Sequence, residues 1–180
     1  AQEAALKSVY YVAKTKKTIL DAENQAINSK ENAVWFSGDY SEITPMRATQ
    51  AFPMPFGITA QINKNDECSS QFIVISTDPN FKWGWGPQKN AIKFAWNCDD
   101  KYLYGTNKKA VTKTKCDKKG DYKLQISVFE NQIAFGDDEC GALTIPNGLK
   151  SAKELFVFIG ADQDQPGQKS KIFDFTVTIV

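Results

Sequence analysis

The sequence predicts an all-β protein, an antiparallel sandwich or barrel. Three observations carry this. From Phe56 onward apolar and polar residues alternate over short runs, as at Tyr122, Leu124, Ile126 and Val128, and a period of two gives a strand one buried and one solvated face. Turn chemistry separates the runs at roughly 6–12-residue intervals, at Asn65-Asp66, Asp99-Asp100, Lys119-Gly120-Asp121, Glu130-Asn131, Asn147-Gly148 and Pro166-Gly167. No strand–helix–strand period recurs, which argues against a parallel sheet.

Taken in order, Gln2–Leu6 is short and helix-friendly, and Ser8–Thr15 is β-branched and aromatic, as an edge strand would be. Lys17–Lys30 admits two readings, a helix of two or three turns or a strand at Thr18–Asp21 followed by a polar loop. Asn32–Gly38 reads as a strand, and Asp39–Pro55, with prolines at 45, 53 and 55, as irregular chain. Then come strands at Phe56–Asn63, Gln71–Thr77, Ala91–Asn97, Tyr102–Gly105, Ala110–Lys115, Tyr122–Phe129 and Gln132–Phe135. Ala142–Ile145, Leu155–Ile159 and Lys171–Val180 complete the series, the last alternating from Phe173 to Ile179. No long linker or repeat divides the 180 residues, so one domain spanning 1–180 is expected.

Composition removes several classes of function. Lys+Arg is 22 against 21 for Asp+Glu, a net charge of +1, which offers no surplus for a nucleic-acid partner. No apolar run reaches the roughly 18 residues of a membrane-spanning helix, so no membrane insertion is expected. Histidine is absent, which excludes Ser-His-Asp and Cys-His catalysis and HExxH metal sites. Arg47 is the single arginine, so recognition of an anion by an arginine fork is confined to that position.

Cys68, Cys98, Cys116 and Cys140 contain no CxxC pair, and disulfides in an oxidising compartment are the expectation. If consecutive strands run antiparallel, all four fall at one end of the sandwich. Three pairings exist; Cys68–Cys98 with Cys116–Cys140 is favoured, and Cys98–Cys116 with Cys68–Cys140 is second. The same count puts the Phe81–Gly86 loop at the opposite end.

That loop carries the densest ligand chemistry. Asp78–Asn90 holds Phe81, Trp83 and Trp85 with Asp78, Asn80, Gln88 and Asn90. Rings cover the apolar C–H face of a pyranose and amides or carboxylates bond its hydroxyls; the same rings would also serve to cap the end of a core. Trp35 and Trp96 sit on strand patterns and are expected in the core. Asp162 and Asp164 are candidate calcium ligands from one loop; no other cofactor is expected. Asp137-Asp138-Glu139 reads as a solvated acidic turn, and no Glu-x-Asp-x-x-Glu strand is present.

The runs FGITAQIN (56–63), QFIVIST (71–77), AIKFAWN (91–97), LQISVFENQIAF (124–135) and 155–180 together resemble the concanavalin A-like lectin/glucanase jelly-roll superfamily. The resemblance is one of strand pattern over about 125 residues. It implies a two-sheet sandwich with carbohydrate bound on a concave face or at loop ends; neither the legume-type metal signature nor the glucanase acid motif accompanies it. The expectation is a secreted or cell-surface, lectin-like sandwich, without catalytic residues, whose partner is a glycan or glycoprotein surface. An adhesion module that binds protein and a hydrolase assembling carboxylates from separate strands are the alternatives.

Overall fold

The computed structural model describes residues 25–28, 33–37, 46–48, 51–62, 69–81, 90–97, 102–106, 111–116, 122–137, 140–149, 152–163 and 169–179. They form fourteen strands and, among the described residues, no helix. In chain order these are β1 (Gln25–Asn28), β2 (Ala33–Ser37), β3 (Met46–Arg47), β4 (Phe52–Pro53), β5 (Phe56–Ile62), β6 (Ser69–Ser76) and β7 (Ala91–Asn97). They continue as β8 (Tyr102–Thr106), β9 (Val111–Lys115), β10 (Tyr122–Val128), β11 (Gln132–Asp137), β12 (Gly141–Pro146), β13 (Glu154–Gln163) and β14 (Lys169–Ile179). All pairings are antiparallel.

Two sheets result. Sheet I runs β1-β2-β14-β5-β10-β11-β12, and sheet II runs β3-β13-β6-β7-β8-β9 with β4 also on β13. The alternating strands turn one parity inward: Phe56, Ile58 and Ala60 from β5, Leu124, Ile126 and Val128 from β10, Ile133 and Phe135 from β11. Sheet II answers with Ile73, Ile75, Ile92, Phe94, Leu103, Leu155, Val157 and Ile159, and these side chains make one core between the sheets. The rings of Phe94 and Phe135, from opposite sheets, meet at 4.9 Å between centroids.

Three local readings change. The segment read as irregular, 39–55, supplies two short edge strands: Met46 and Arg47 pair with Ile159 and Phe158, and Phe52 and Pro53 with Leu155 and Glu154. Proline is tolerated there because an edge residue need not donate to a neighbour, while Phe52 is fully buried. Gln25–Asn28 is a strand against β2 rather than the end of a helix; the preceding residues 1–24, with the strand expected at Ser8–Thr15 and the helix-friendly opening, lie outside the described residues. In β14 the register shifts between Phe173 and Thr176. This bulge breaks the alternation, so that Ile172 is buried before it, and Phe175 within it and Val177 after it are buried at the other parity.

Cys116 and Cys140 form a disulfide with Cα atoms 5.2 Å apart. Cys116 follows β9 and Cys140 precedes β12, the edge strands of the two sheets, so the bond closes one side of the sandwich. Cys68 and Cys98 lie outside the described residues. Asp137 is not a solvated turn residue: it ends β11 at 4% exposure, and its Oδ2 accepts the Lys123 amide at 2.9 Å. At the other end of the sandwich, buried Asn147 donates from Nδ2 to the Phe129 carbonyl at 2.7 Å and accepts the Leu149 amide at 2.9 Å. It thereby locks the 129–131 turn to the 147–149 turn.

Candidate functional site: the outer face of sheet II

Strands β6 and β13 do not alternate. Phe72-Ile73-Val74-Ile75 and Leu155-Phe156-Val157-Phe158-Ile159 are apolar at both parities, the pattern of strands covered on both faces. One parity enters the core. The other builds a second cluster on the outer face: Phe72, Val74, Ala91, Ala95 and Phe158, with Phe81, Tyr104 and Phe156 packed against it. Phe72, Val74 and Phe158 are 1%, 0% and 2% exposed, so the centre of this face is itself packed over.

Register fixes the layout. Phe158, Val74, Lys93 and Thr106 stand in one row across β13, β6, β7 and β8, and Gly160, Phe72, Ala95 and Tyr104 in the next. A Cβ on Gly160 would lie 2.5 Å from Phe72 Cζ, so glycine there lets the Phe72 ring lie flat on β13. Two cations sit on the rings. Lys93 Nζ is 5.2 Å from the Phe72 centroid and 5.8 Å from that of Tyr104, and the Arg47 guanidinium is 5.4 Å from that of Phe156, distances at which a cation is attracted by the ring quadrupole.

The Asp78–Asn90 loop leaves from one end of this face. Asp78-Pro79-Asn80-Phe81 is a turn: the Phe81 amide donates to the Asp78 carbonyl at 3.3 Å, and the Asn80 amide to Asp78 Oδ1 at 2.8 Å. Aspartate followed by proline is the residue pair such a turn selects. Fully buried Ser76 ties the two ends of the loop together, its Oγ donating to the Asn90 carbonyl at 2.7 Å and accepting the Asp78 amide at 3.0 Å. Arg47 Nη1 donates to the Pro79 carbonyl at 2.9 Å, and the Phe81 ring rests on Phe158 at 5.4 Å. Strand directions put this loop at the end of the sheet opposite Cys116, because β9 runs parallel to β7.

Of the sequence-predicted ligand residues, Asp78, Asn80, Phe81 and Asn90 are thus gathered at the base of the loop, and Trp83, Trp85 and Gln88 lie outside the described residues. Asp162 belongs to β13, opposite Ser70, rather than to a loop, and Asp164 lies outside the described residues. Among the described residues no group of three acidic or cysteine side chains is placed to hold a metal. The side chains of Trp35 and Trp96 are likewise outside the described set. The outer-face cluster itself, with Lys93, Tyr104 and Phe156, was missed by alternation counting; the two-parity apolar runs of β6 and β13 were its signal. Sheet I has a shallow cleft of about 260 Å³ on its own outer face, lined by Gln125, Ser127, Ala134, Gly136, Gly141 and Ala142 among others. Small residues floor that cleft.

Arg47 is expected to act as a brace for the loop base. Arg47→Lys keeps the charge and loses the planar fork. Amide exchange at Phe81 and Asn80 should accelerate about three- to tenfold, while global stability changes by about 1 kcal/mol or less. Unchanged exchange at both amides would show that the turn holds itself.

The fold is an antiparallel two-sheet β-sandwich of the jelly-roll type. Structures similar to this chain include LamAcat from Zobellia galactanivorans (6% identity, TM-score 0.61, covering 88% of this chain and 80% of that one). A β-glucanase from Bacillus licheniformis matches at 8% identity and TM-score 0.60, over 88% of this chain and 83% of that one. A Bacillus subtilis protein of unknown function with a galectin-like fold matches at 10% identity and TM-score 0.59, over 86% of each chain. No family model matches the sequence, and no curated protein matches it. Identities this low establish shared architecture alone. Among the described residues no helix is long and apolar enough to cross a membrane.

Proposed function

We propose that the protein binds carbohydrate, through the outer face of sheet II and the aromatic loop that opens from its end. The observation that carries this is the second aromatic cluster. Phe72, Phe156 and Phe158 are assembled on the face turned away from the core, and Phe81, the first ring of the loop, packs against this cluster with its ring tilted 54° to that of Phe158. A sandwich needs no rings on that face for its own core. The Phe72 and Phe158 rings are buried and anchor the base of the loop; pyranose C–H faces stack on exposed rings, each contact contributing on the order of 1 kcal/mol, and Trp83 and Trp85 follow Phe81 in the same loop. The disulfide supports a secreted or cell-surface setting, where sugars are met.

The test is a glycan array followed by calorimetry on the hits, with Trp83→Ala and Trp85→Ala. Each substitution is expected to weaken binding about five- to tenfold with little change in thermal melting, the loss of one stacking contact. An intact fold that binds no glycan sinks the reading. So does destabilisation by several kcal/mol from both substitutions with glycan affinity unmoved, which is the behaviour of core truncations.

A further inference from the structure

The charged residues of strands β7–β9 are all lysines, and we propose that the glycan bound there is an acidic one, a polyuronate, held by Lys93, Lys113 and Lys115 around Tyr104. This rests on the carbohydrate reading above and names its ligand class. Strands β6, β7, β8 and β9 contain no aspartate or glutamate, although the chain as a whole carries 21. Their lysines all fall on the outer face. Lys93 shares a row with Val74 and Thr106; Lys113 stands opposite Tyr104, and Lys115 opposite Tyr102. The inward positions of these strands go instead to residues such as Ile92, Phe94 and Leu103. The acids of the sheet, Glu154 and Asp162, stand near the two ends of β13, on the far side of β6. Among the described residues, the charges carried by β7–β9 are therefore all positive.

Lysines on an edge strand have a second use, as guards against strand pairing. That accounts for Lys113 and Lys115 on β9 but not for Lys93, which lies two strands inward on β7 with its ammonium over two rings. Among the described residues of this half of the face Tyr104 is half-buried and Lys113 and Lys115 are exposed, in contrast to the sealed Phe72–Phe158 centre. Lys113 and Lys115 are two residues apart on one strand, about 7 Å, and Lys93 flanks Tyr104 from the other side. A uronate carries its carboxylate at the ring edge and leaves C–H groups free on its face. One sugar can then stack on Tyr104 with its charge toward a lysine, and its neighbours in the chain meet the others. Lysine supplies point charges here rather than forks, as a chain with one arginine must.

Calorimetry on the full chain with oligogalacturonate, a neutral β-glucan oligosaccharide, a sulfated oligosaccharide and a single-stranded oligonucleotide tests the proposal. The expected result is tightest binding to the oligogalacturonate, weakened by salt. Lys113→Gln/Lys115→Gln should lower that affinity about three- to tenfold, the scale of two exposed charge contacts. Lys93→Met should lower it further, with melting of all variants followed to confirm folding. Tightest binding to the neutral glucan, indifferent to these substitutions, overturns the acidic ligand and leaves the carbohydrate reading standing. Failure to bind any of the glycans overturns both. Tighter binding of the sulfated oligosaccharide or of the oligonucleotide overturns the uronate assignment.

Discussion

Phe135→Ala is expected to cost about 3–5 kcal/mol of stability, the range for large aromatic truncations in a core. Against a net stability of about 5–15 kcal/mol for a domain, that is among the largest losses a single substitution here can cause. Phe135 is on β11 of sheet I and Phe94 on β7 of sheet II, and their tilted rings, 4.9 Å apart at 56°, join the two sheets within the core. Gly105, opposite Phe94 on β8, completes the contact by having no side chain. A Cβ there would stand 2.7 Å from Phe135 Cζ and 3.0 Å from Phe94 Cδ1. Both neighbours are aromatic and buried, so neither can swing away, and Gly105→Ala should itself destabilise by about 1–3 kcal/mol, the cost of overpacking. In the Phe135→Ala background the same methyl enters the cavity instead of a ring. The two substitutions should then be non-additive by about 1 kcal/mol or more in a urea-denaturation cycle. Additive costs would mean that Gly105 is required for some reason other than the Phe135 ring.

How far the sequence announces this architecture depends on which residues are considered. Tyr122–Val128 alternates strictly, and its inward set, Leu124, Ile126 and Val128, is the buried set; nothing but the period of a strand is needed to find it. The antiparallel count also places Cys116 and Cys140 at one end, where they are bonded. Alternation fails where a second surface competes for apolar residues. In β6 the outward Phe72 and Val74 are as buried as the inward Ile73 and Ile75, and a run of that kind announces burial without saying what covers it. Short edge strands are illegible for another reason. Met46–Arg47 and Phe52–Pro53 exist because β13 offers a free edge to them, a property of a strand a hundred residues further on. Arg47, marked in the sequence as the lone arginine, could be recognised as special, but its partners, the Pro79 carbonyl and the Phe156 ring, follow only from the sheet order. The same holds for Asp137, whose burial depends on the amide of Lys123 across the β10–β11 pair.

Removing the Cys116–Cys140 bond as Cys116→Ala/Cys140→Ala is expected to cost about 3.5 kcal/mol, the chain-entropy value for a loop of about 25 residues. Alanine is the right replacement because Cys116 is buried, and a serine hydroxyl there would add a desolvation cost of its own. The bond links β9 and β12, edge strands of different sheets that are not hydrogen-bonded neighbours, and the loop it closes contains β10 and β11. Within each sheet, ladder hydrogen bonds hold the strands, and between the sheets side-chain packing does, so the native state keeps its order without the bond. Most of the effect should accordingly appear in the unfolded chain, which becomes more expanded. The urea m-value should rise as the midpoint falls, and a variant that loses stability at constant m would assign the bond's contribution to the folded state instead. Mild reduction of the wild-type protein should reproduce both changes and leave the double variant unaffected in the part due to this bond.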